Sequence, residues 1–369
     1  MKKRAALIFG TRPEAIKLGP VYKALRKSEN ITPVLIHTGQ HHDLADDILD
    51  LFGMKTDFRF EAMKSGKTLD EIRYFIGQKL DKIFNREFFD LIIVQGDTAT
   101  AHIGAITAKK HLLTLAHVEA GLRSFDLHHP WPEEMYRTEI STLADFHYAP
   151  TEQALRNLVA EGVAENSILI TGNTVVDALN QILSQISESR DSVCERFGIP
   201  KNDRIVLLTS HRRENFGDPQ KRIFSAVKKL TEETDGIHVI YPVHPNPAIR
   251  EHLHLLEGHP GIHLIEPLPY LRFLPVIQAS DLILTDSGGI QEEAPALGKF
   301  TIVLREKTER PELIESGAGV LAGSDENLIY NLAKKALSDR LQLKSESIFG
   351  DGKAAGRISD HIHSLFSDI

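Results

Sequence analysis

The chain has 369 residues, a formal net charge of −8, 41% hydrophobic and 25% charged residues, the balance of a folded globular protein without a low-complexity arm. Its acidity, with a pI near 6.1, argues against wrapping nucleic acid or lying on an acidic membrane, although a local basic pocket can still hold an anion. The length exceeds one ordinary core, so two domains of roughly 170 residues each are expected.

The start, MKKRAALIFG, is cut at Thr11-Arg12, too soon for a secretory signal, and reads as a first strand over residues 5–9. It leads through Gly10-Thr11-Arg12-Pro13-Glu14 into a helix carrying Lys17, which places two cations where a diphosphate can meet them. A strand at 34–37 ends in TGQHHD, and strands at 91–94 and 113–117 end in QGDT and HVEAG. Asp97 and Glu119 therefore follow strongly apolar runs directly. With Glu133 and Glu134 they form an excess of carboxylates suited to general acid–base work. Taken alone, Asp97 before Thr98 also fits a helix N-cap. The groups His41-His42-Asp43 and His128-His129 lack a distinctive ligand spacing, so no metal is expected. A strand at 146–149 follows, and the turn residues Thr171-Gly172-Asn173 mark a joint between a first domain, 1–171, and a second, 172–350.

The second half repeats the parallel β/α rhythm, with strands at 205–208, 238–241, 262–265, 282–284 and 302–304 and helices such as 221–233. His211, in SHRREN, opens its first loop, placed to donate to a phosphate or a sugar hydroxyl. In LTDSGGIQEEA, residues 284–294, an apolar strand stops at Ser287-Gly288-Gly289 and a helix is predicted over 291–297. Those three residues read as a βα turn whose N–H groups attract an anion. Glu293, about one and a half turns into the helix, is placed for a ribose diol. Neither the dinucleotide nor the P-loop glycine fingerprint is present, which favours a nucleotide-sugar diphosphate over NAD or ATP. A final helix at 354–366 follows Gly350-Asp351-Gly352, and the segment 351–369 is expected to cross back to the first domain.

The polar blocks all sit at predicted strand carboxyl ends, where open parallel sheets bind ligands. Two Rossmann-like α/β domains facing across a deep cleft are therefore expected. No run approaches the roughly 18 apolar residues of a membrane span, and Cys194, the single cysteine, cannot make an internal disulfide; both favour the cytoplasm.

Taken together, FGTRPEAIKLGP from residue 9, TGQH from 38, QGDT from 95, HVEAGLRS from 117, WPEEMYR from 131, GNTVVDAL from 172, HRREN from 211, TDSGGIQEEAPALGK from 285 and TERPE from 308 closely resemble the non-hydrolysing UDP-N-acetylglucosamine 2-epimerases. The resemblance spans nearly the whole chain. It implies a GT-B-like fold, a homodimer, and reversible conversion of UDP-GlcNAc into UDP-ManNAc for cell-surface polysaccharide, with no nicotinamide or metal. It implies anti elimination of UDP to 2-acetamidoglucal, then re-addition with the C2 proton returned on the opposite face. By motif it assigns Asp97, Glu119, Glu133 and His211 to catalysis. It gives Arg12, Lys17, His211, Ser287, Gly288, Gly289 and Arg310 to the diphosphate and uracil side, Glu293 to the ribose, Phe273 to the base, and Gln40 and His41 to a regulatory position. One departure is that His42 and Asp43 follow where many bacterial members carry Arg. The added negative charge leads us to expect no activation by a second UDP-GlcNAc. A glycosyltransferase of the same fold, a hydrolysing epimerase releasing ManNAc and UDP, and a non-catalytic sensor are rival readings at this point.

Overall fold

Runs such as Leu7-Ile8-Phe9 and Leu91-Ile92-Ile93-Val94 are apolar at every position rather than at alternate ones, the pattern of parallel strands covered on both faces. In the computed structural model of the chain all seven of these residues are fully buried. The structure describes residues 2–40, 46–62, 68–127, 130–339, 343 and 348–367. It divides into two units, Met1–Ile182 with Phe349–Ile369, and Leu183–Ile348.

The first unit contains strands β1 (Lys3–Phe9), β2 (Ile31–His37), β3 (Phe58–Arg59), β4 (Leu91–Gln95), β5 (Leu115–Val118), β6 (Phe146–Ala149) and β7 (Ile168–Ile170). They form one parallel sheet in the order β3-β2-β1-β4-β5-β6-β7. The second unit has β8 (Arg204–Thr209), β9 (Ile237–Pro242), β10 (Ile262–Ile265), β11 (Leu282–Thr285), β12 (Thr301–Val303) and β13 (Gly319–Leu321), parallel in the order β10-β9-β8-β11-β12-β13. The intervening helices are α1 (Arg12–Arg26), α2 (Asp46–Phe52), α3 (Leu69–Phe84), α4 (Ala99–Lys110), α5 (Glu133–Leu143), α6 (Glu152–Ala160), α7 (Thr174–Leu183), α8 (Arg190–Phe197), α9 (Asp218–Glu233), α10 (Pro247–Arg250), α11 (Tyr270–Ala279), α12 (Gly288–Ala296), α13 (Pro311–Glu315), α14 (Glu326–Ser338) and α15 (Ala354–Ser367).

Both sheets reverse their winding at one place, between β1 and β4 in the first and between β8 and β11 in the second. In an open α/β sheet the loops on either side of such a switch point part, and the gap outside the strand carboxyl ends is where ligands bind. Each unit has its own core, built around Ile8, Ile36, Ile92 and Val94 in the first and around Val206, Leu208, Val239 and Leu284 in the second. Burying each such side chain contributes about 1.5–3 kcal/mol, which fixes the strand ends that carry the polar loops.

Two local differences from the expected elements have physical causes. The strand predicted at 113–117 begins only at Leu115, because Leu112 turns left-handed (φ 56°) and Leu113 N–H is used to close α4 on Ala108 O. Gly288 and Gly289, predicted as turn, are the first two residues of α12, with Ser287 as its N-cap. As predicted, the last helix belongs to the first unit. Asp177 accepts the N–H groups of Ala354 and Ala355 at 3.1 and 2.9 Å, satisfying the start of α15, and His361 Nδ1 lies 3.1 Å from the Tyr148 hydroxyl. Among the described residues no helix is long and apolar enough to cross a membrane.

Candidate active site

In the first unit, the loop after β1 is set by a reciprocal capping box: Thr11 Oγ1 accepts from Glu14 N–H, and the Glu14 carboxylate accepts back. Glu14 is fully buried. Its Oε2 accepts from Gly10 N at 3.0 Å, Thr11 N at 2.8 Å and Thr11 Oγ1 at 2.8 Å, and its Oε1 from Thr98 Oγ1 at 2.6 Å. Burial pushes its pKa up to about 7, against the lowering effect of those four bonds. Thr98 in turn caps α4, accepting from Ala101 N at 3.0 Å. One carboxylate thus ties the loop that carries Arg12 to the loop that carries Asp97. The N-cap alternative for Asp97 is overturned, since Thr98 fills that role.

Asp97 is instead ion-paired with buried Arg137 of α5, which also donates to Glu134 at 3.0 Å. Glu134 further accepts Ser124 N and Phe125 N, both at 3.0 Å, so Arg137 has little freedom to move and Asp97 is oriented by it. His117 of β5 locks the same turn from the other side by donating from Nε2 to Gly96 O at 2.8 Å; burial holds its pKa down to about 3, so the ring is neutral.

Glu119, directly after β5, has φ 64°, a left-handed backbone that costs a non-glycine residue about 1–2 kcal/mol. The strain is offset by its partners: Lys17 of α1, buried like Glu119 itself, is ion-paired with Oε2, and Asn173 Nδ2 donates to the same oxygen at 3.0 Å. Its Oε1 sits 3.8 Å from where a β-carbon on Gly96 would lie. Glu119 is therefore beside the turn that leads into Asp97, and strained residues held this way cluster at sites of chemistry. Two carboxylates on neighbouring strand ends, each with a cation, can take and return a proton at a bound carbon. Glu133 is the first residue of α5 and is half-buried.

In the second unit, fully buried Asp286 at the end of β11 organises the loop after β8. It accepts from His211 N and Arg212 N, both at 2.9 Å, from Asn215 Nδ2 at 2.9 Å and from Ser210 Oγ at 3.3 Å. His211 Nδ1 lies 3.2 Å from its other oxygen. Beyond Asp286, α12 starts with Ser287-Gly288-Gly289 and presents the first-turn N–H groups that attract anions. A β-carbon on Gly288 would come within 2.7 Å of Arg310 Nη1, so glycine is required for the guanidinium to pack against this first turn. Arg310 donates to Glu292 at 2.6 Å and lies 3.3 Å from Glu309, which also binds Arg305 at 2.8 Å. Glu293 accepts the Tyr270 hydroxyl at 2.8 Å, and Phe273, on the same helix α11, is half-buried.

The structure thus brings Lys17, Asp97 and Glu119 together in the first unit, with Arg12 as the first residue of α1. In the second it gathers His211, Ser287, Gly288, Gly289 and Arg310 around Asp286 and the start of α12. Gln40, the regulatory candidate, spends its amide oxygen on Thr100 N and Oγ1 at 3.2 and 2.8 Å, joining the end of β2 to α4. His41, His42, Asp43, His128 and His129 lie outside the described residues; among those described, no His, Cys, Asp and Glu group could hold a metal ion. Sequence reasoning gave no role to Glu14, Arg137, Asn173 or Asp286. For Glu14 the signal was there, a Thr-x-x-Glu capping box at 11–14; the other three act through partners at least 40 residues away or across the sheet.

A family model described as UDP-N-acetylglucosamine 2-epimerase matches residues 23–363. UDP-N-acetylglucosamine 2-epimerase of Bacillus subtilis (strain 168) is 43% identical over 372 residues, covering 98% of this chain and 96% of the relative. The crystal structure of UDP-GlcNAc 2-epimerase from Neisseria meningitidis bound to UDP-GlcNAc is similar with a TM-score of 0.92 at 36% identity, covering 99% of this chain and 100% of that one. The Methanocaldococcus jannaschii UDP-GlcNAc 2-epimerase in complex with UDP-GlcNAc and UDP gives 0.85 at 35% identity over the same shares. The fold class expected from the sequence, two Rossmann-like halves of the GT-B kind, is the one these structures share.

Proposed function

This chain belongs to the UDP-N-acetylglucosamine 2-epimerase family, and from that membership we infer that it is an isomerase interconverting UDP-N-acetylglucosamine and UDP-N-acetylmannosamine by inversion at C2. The observation that carries the chemistry is Glu119, held in a left-handed backbone by Lys17 and Asn173 beside the Asp97–Arg137 pair. In the mechanism we favour, one carboxylate of the set Asp97, Glu119 and Glu133 removes the C2 proton while the C1–O bond to UDP breaks, leaving 2-acetamidoglucal and UDP. A second group then returns a proton to the opposite face of C2 as UDP re-forms the C1–O bond. No net oxidation occurs, and atoms balance. Lys17 and Arg12 offset negative charge at this edge, and preorganised charge of this kind stabilises charge that develops in the transition state without reorganising.

For the nucleotide we assign the second unit's edge: Ser287, Gly288 and Gly289 at the start of α12 for the diphosphate, with His211 and Arg310 nearby, Glu293 for the ribose and Phe273 for the base. The helix start and the glycine-dependent approach of Arg310 support this assignment. The reading extends to a homodimer in the cytoplasm, supported by the family resemblance and by a single, buried cysteine, Cys194. Proton NMR of the anomeric region during incubation with UDP-GlcNAc alone tests the reaction: a UDP-ManNAc signal is expected. Free ManNAc with UDP would instead make the enzyme hydrolytic, and an unchanged spectrum would favour a transferase lacking its acceptor.

A further inference from the structure

We propose that His117 is a positioning residue for the reaction: by donating from Nε2 to Gly96 O it fixes the turn from which the Asp97 carboxylate is presented. The proposal rests on the reading of Asp97 as one of the acid–base carboxylates.

The need for such a bond follows from the register of β4 and β5. Gln95 pairs with Val118, and the ladder runs one step further, with Gly96 N–H donating to Val118 O at 3.0 Å. In a parallel pair the next rung would carry Ala120 N–H to Gly96 O. Here Glu119 turns left-handed (φ 64°), and Ala120 N–H is directed to Tyr148 O of β6 instead, at 3.1 Å. The backbone conformation that places the Glu119 carboxylate therefore takes from Gly96 O its ladder partner, and a carbonyl buried as this one is must find another donor. His117 Nε2 supplies it at 2.8 Å.

Gly96 is itself left-handed (φ 67°). Glycine has the widest torsional freedom of any residue, so the direction in which the chain leaves for Asp97 is set by what the Gly96 N–H and C=O are bound to. Both are held by consecutive residues of β5, Val118 and His117, and the next one, Glu119, brings its Oε1 within 3.8 Å of the place a β-carbon on Gly96 would take. Arg137 holds the Asp97 side chain; His117 holds the backbone that carries it. A carbonyl can only accept, so Nε2 carries the hydrogen and the neutral ring keeps its lone pair on Nδ1. That nitrogen is buried with no hydrogen-bond partner among the described residues, a cost that a side chain serving packing alone would not incur. The ring is fully buried and stays neutral near pH 7, burial holding its pKa down to about 3, so its part is to position rather than to transfer a proton.

Turnover of UDP-GlcNAc by the full chain, followed by NMR as initial rates, tests this with two variants: His117→Met keeps the length and removes the donor, while His117→Gln carries an amide nitrogen that reaches as far as Nε2. The methionine variant is expected to lose about 10²-fold in kcat, the usual cost of a misplaced catalytic group, with KM and calorimetric UDP affinity unchanged. The glutamine variant is expected to recover to within about fivefold of wild type. In an Asp97→Asn background the methionine substitution is expected to cost less than about threefold, because the group it misplaces is already disabled. Should the methionine variant not fold, His117→Asn, too short to reach Gly96 O, takes its place against the glutamine. A kcat near wild type without the donor, a glutamine variant as slow as the methionine one, a loss borne by KM, or losses that multiply in the double variant would each overturn the positioning role while leaving the reaction and Asp97 in place. No conversion by wild type, or full turnover by Asp97→Asn, would overturn the underlying reading and the proposal with it.

Discussion

Replacing Glu14 with glutamine removes a charge that the fold buries completely and keeps the shape of the side chain. Burial raises the Glu14 pKa from 4.5 to about 7, a span of about 2.5 pH units, and at 1.36 kcal/mol each this is about 3 kcal/mol. The sign follows from linkage. Between those two values the folded chain holds a proton that the unfolded chain has lost, so stability falls as pH rises from about 4.5 to about 7 and is level above that. Glu14→Gln abolishes this contribution. An amide oxygen can still accept from Gly10 N and Thr11 N, while its NH₂ can donate to Thr98 Oγ1, which then accepts rather than donates. Unfolding in urea, followed by the fluorescence of Trp131, the only tryptophan and one in the first unit, gives the difference between wild type and variant at each pH; other titrating groups cancel. That difference is expected to shift in favour of the variant by about 3 kcal/mol between about pH 4.5 and 7. Glu14→Ala, by contrast, strands the buried donors at about 1–3 kcal/mol each and is expected to destabilise at every pH. A wild-type-minus-variant difference that stays flat across the range would refute the claim that this carboxylate is held at the cost of its charge.

Asp97→Asn and Glu119→Gln keep shape while removing proton transfer, so turnover is expected to fall by about 10² to 10⁴ in each with UDP affinity little changed; near-normal rates would remove both from the acid–base set. Glu293→Ala is expected to weaken UDP binding by about 1–3 kcal/mol by calorimetry if it leaves a ribose diol unsatisfied, and equal affinity would dissociate Glu293 from the nucleotide. UDP-ManNAc alone is expected to be converted without a lag that added UDP-GlcNAc abolishes, because Asp43 adds a negative charge directly after the TGQHH run; a strict requirement for traces of UDP-GlcNAc would show that this charge does not block activation.

The strands that deliver the site were legible because parallel strands buried on both faces are apolar throughout: β1, β4, β8 and β11 each announce themselves, and the polar blocks that follow them were read as strand-end loops. Edge strands β3, β7 and β13 have only two or three residues, too few for any periodicity to register. Side-chain partnerships were harder. Lys17 reads in sequence as a cation for diphosphate, yet it lies against Glu119, 102 residues away, and only the sheet order, which sets β1 and β5 on either side of β4, makes that pairing possible. Asp286 likewise sits inside a motif whose glycines drew attention to the helix start, while its own carboxylate serves a loop 75 residues earlier in the chain. The sequence predicts this helix from residue 291 because two glycines ordinarily signal a turn; the structure begins it at Gly288, and the close approach of Arg310 explains the first glycine.

Cleavage of the C2–H bond is tested most directly by turnover of UDP-GlcNAc in D₂O, with mass and NMR analysis of the recovered nucleotide sugars. A carboxylate that exchanges its proton with solvent must place deuterium at C2 of the UDP-ManNAc formed. Product carrying one deuterium, at C2 and nowhere else on the ring, is the expected result; UDP-ManNAc formed with protium retained at C2 would contradict the elimination and re-addition mechanism.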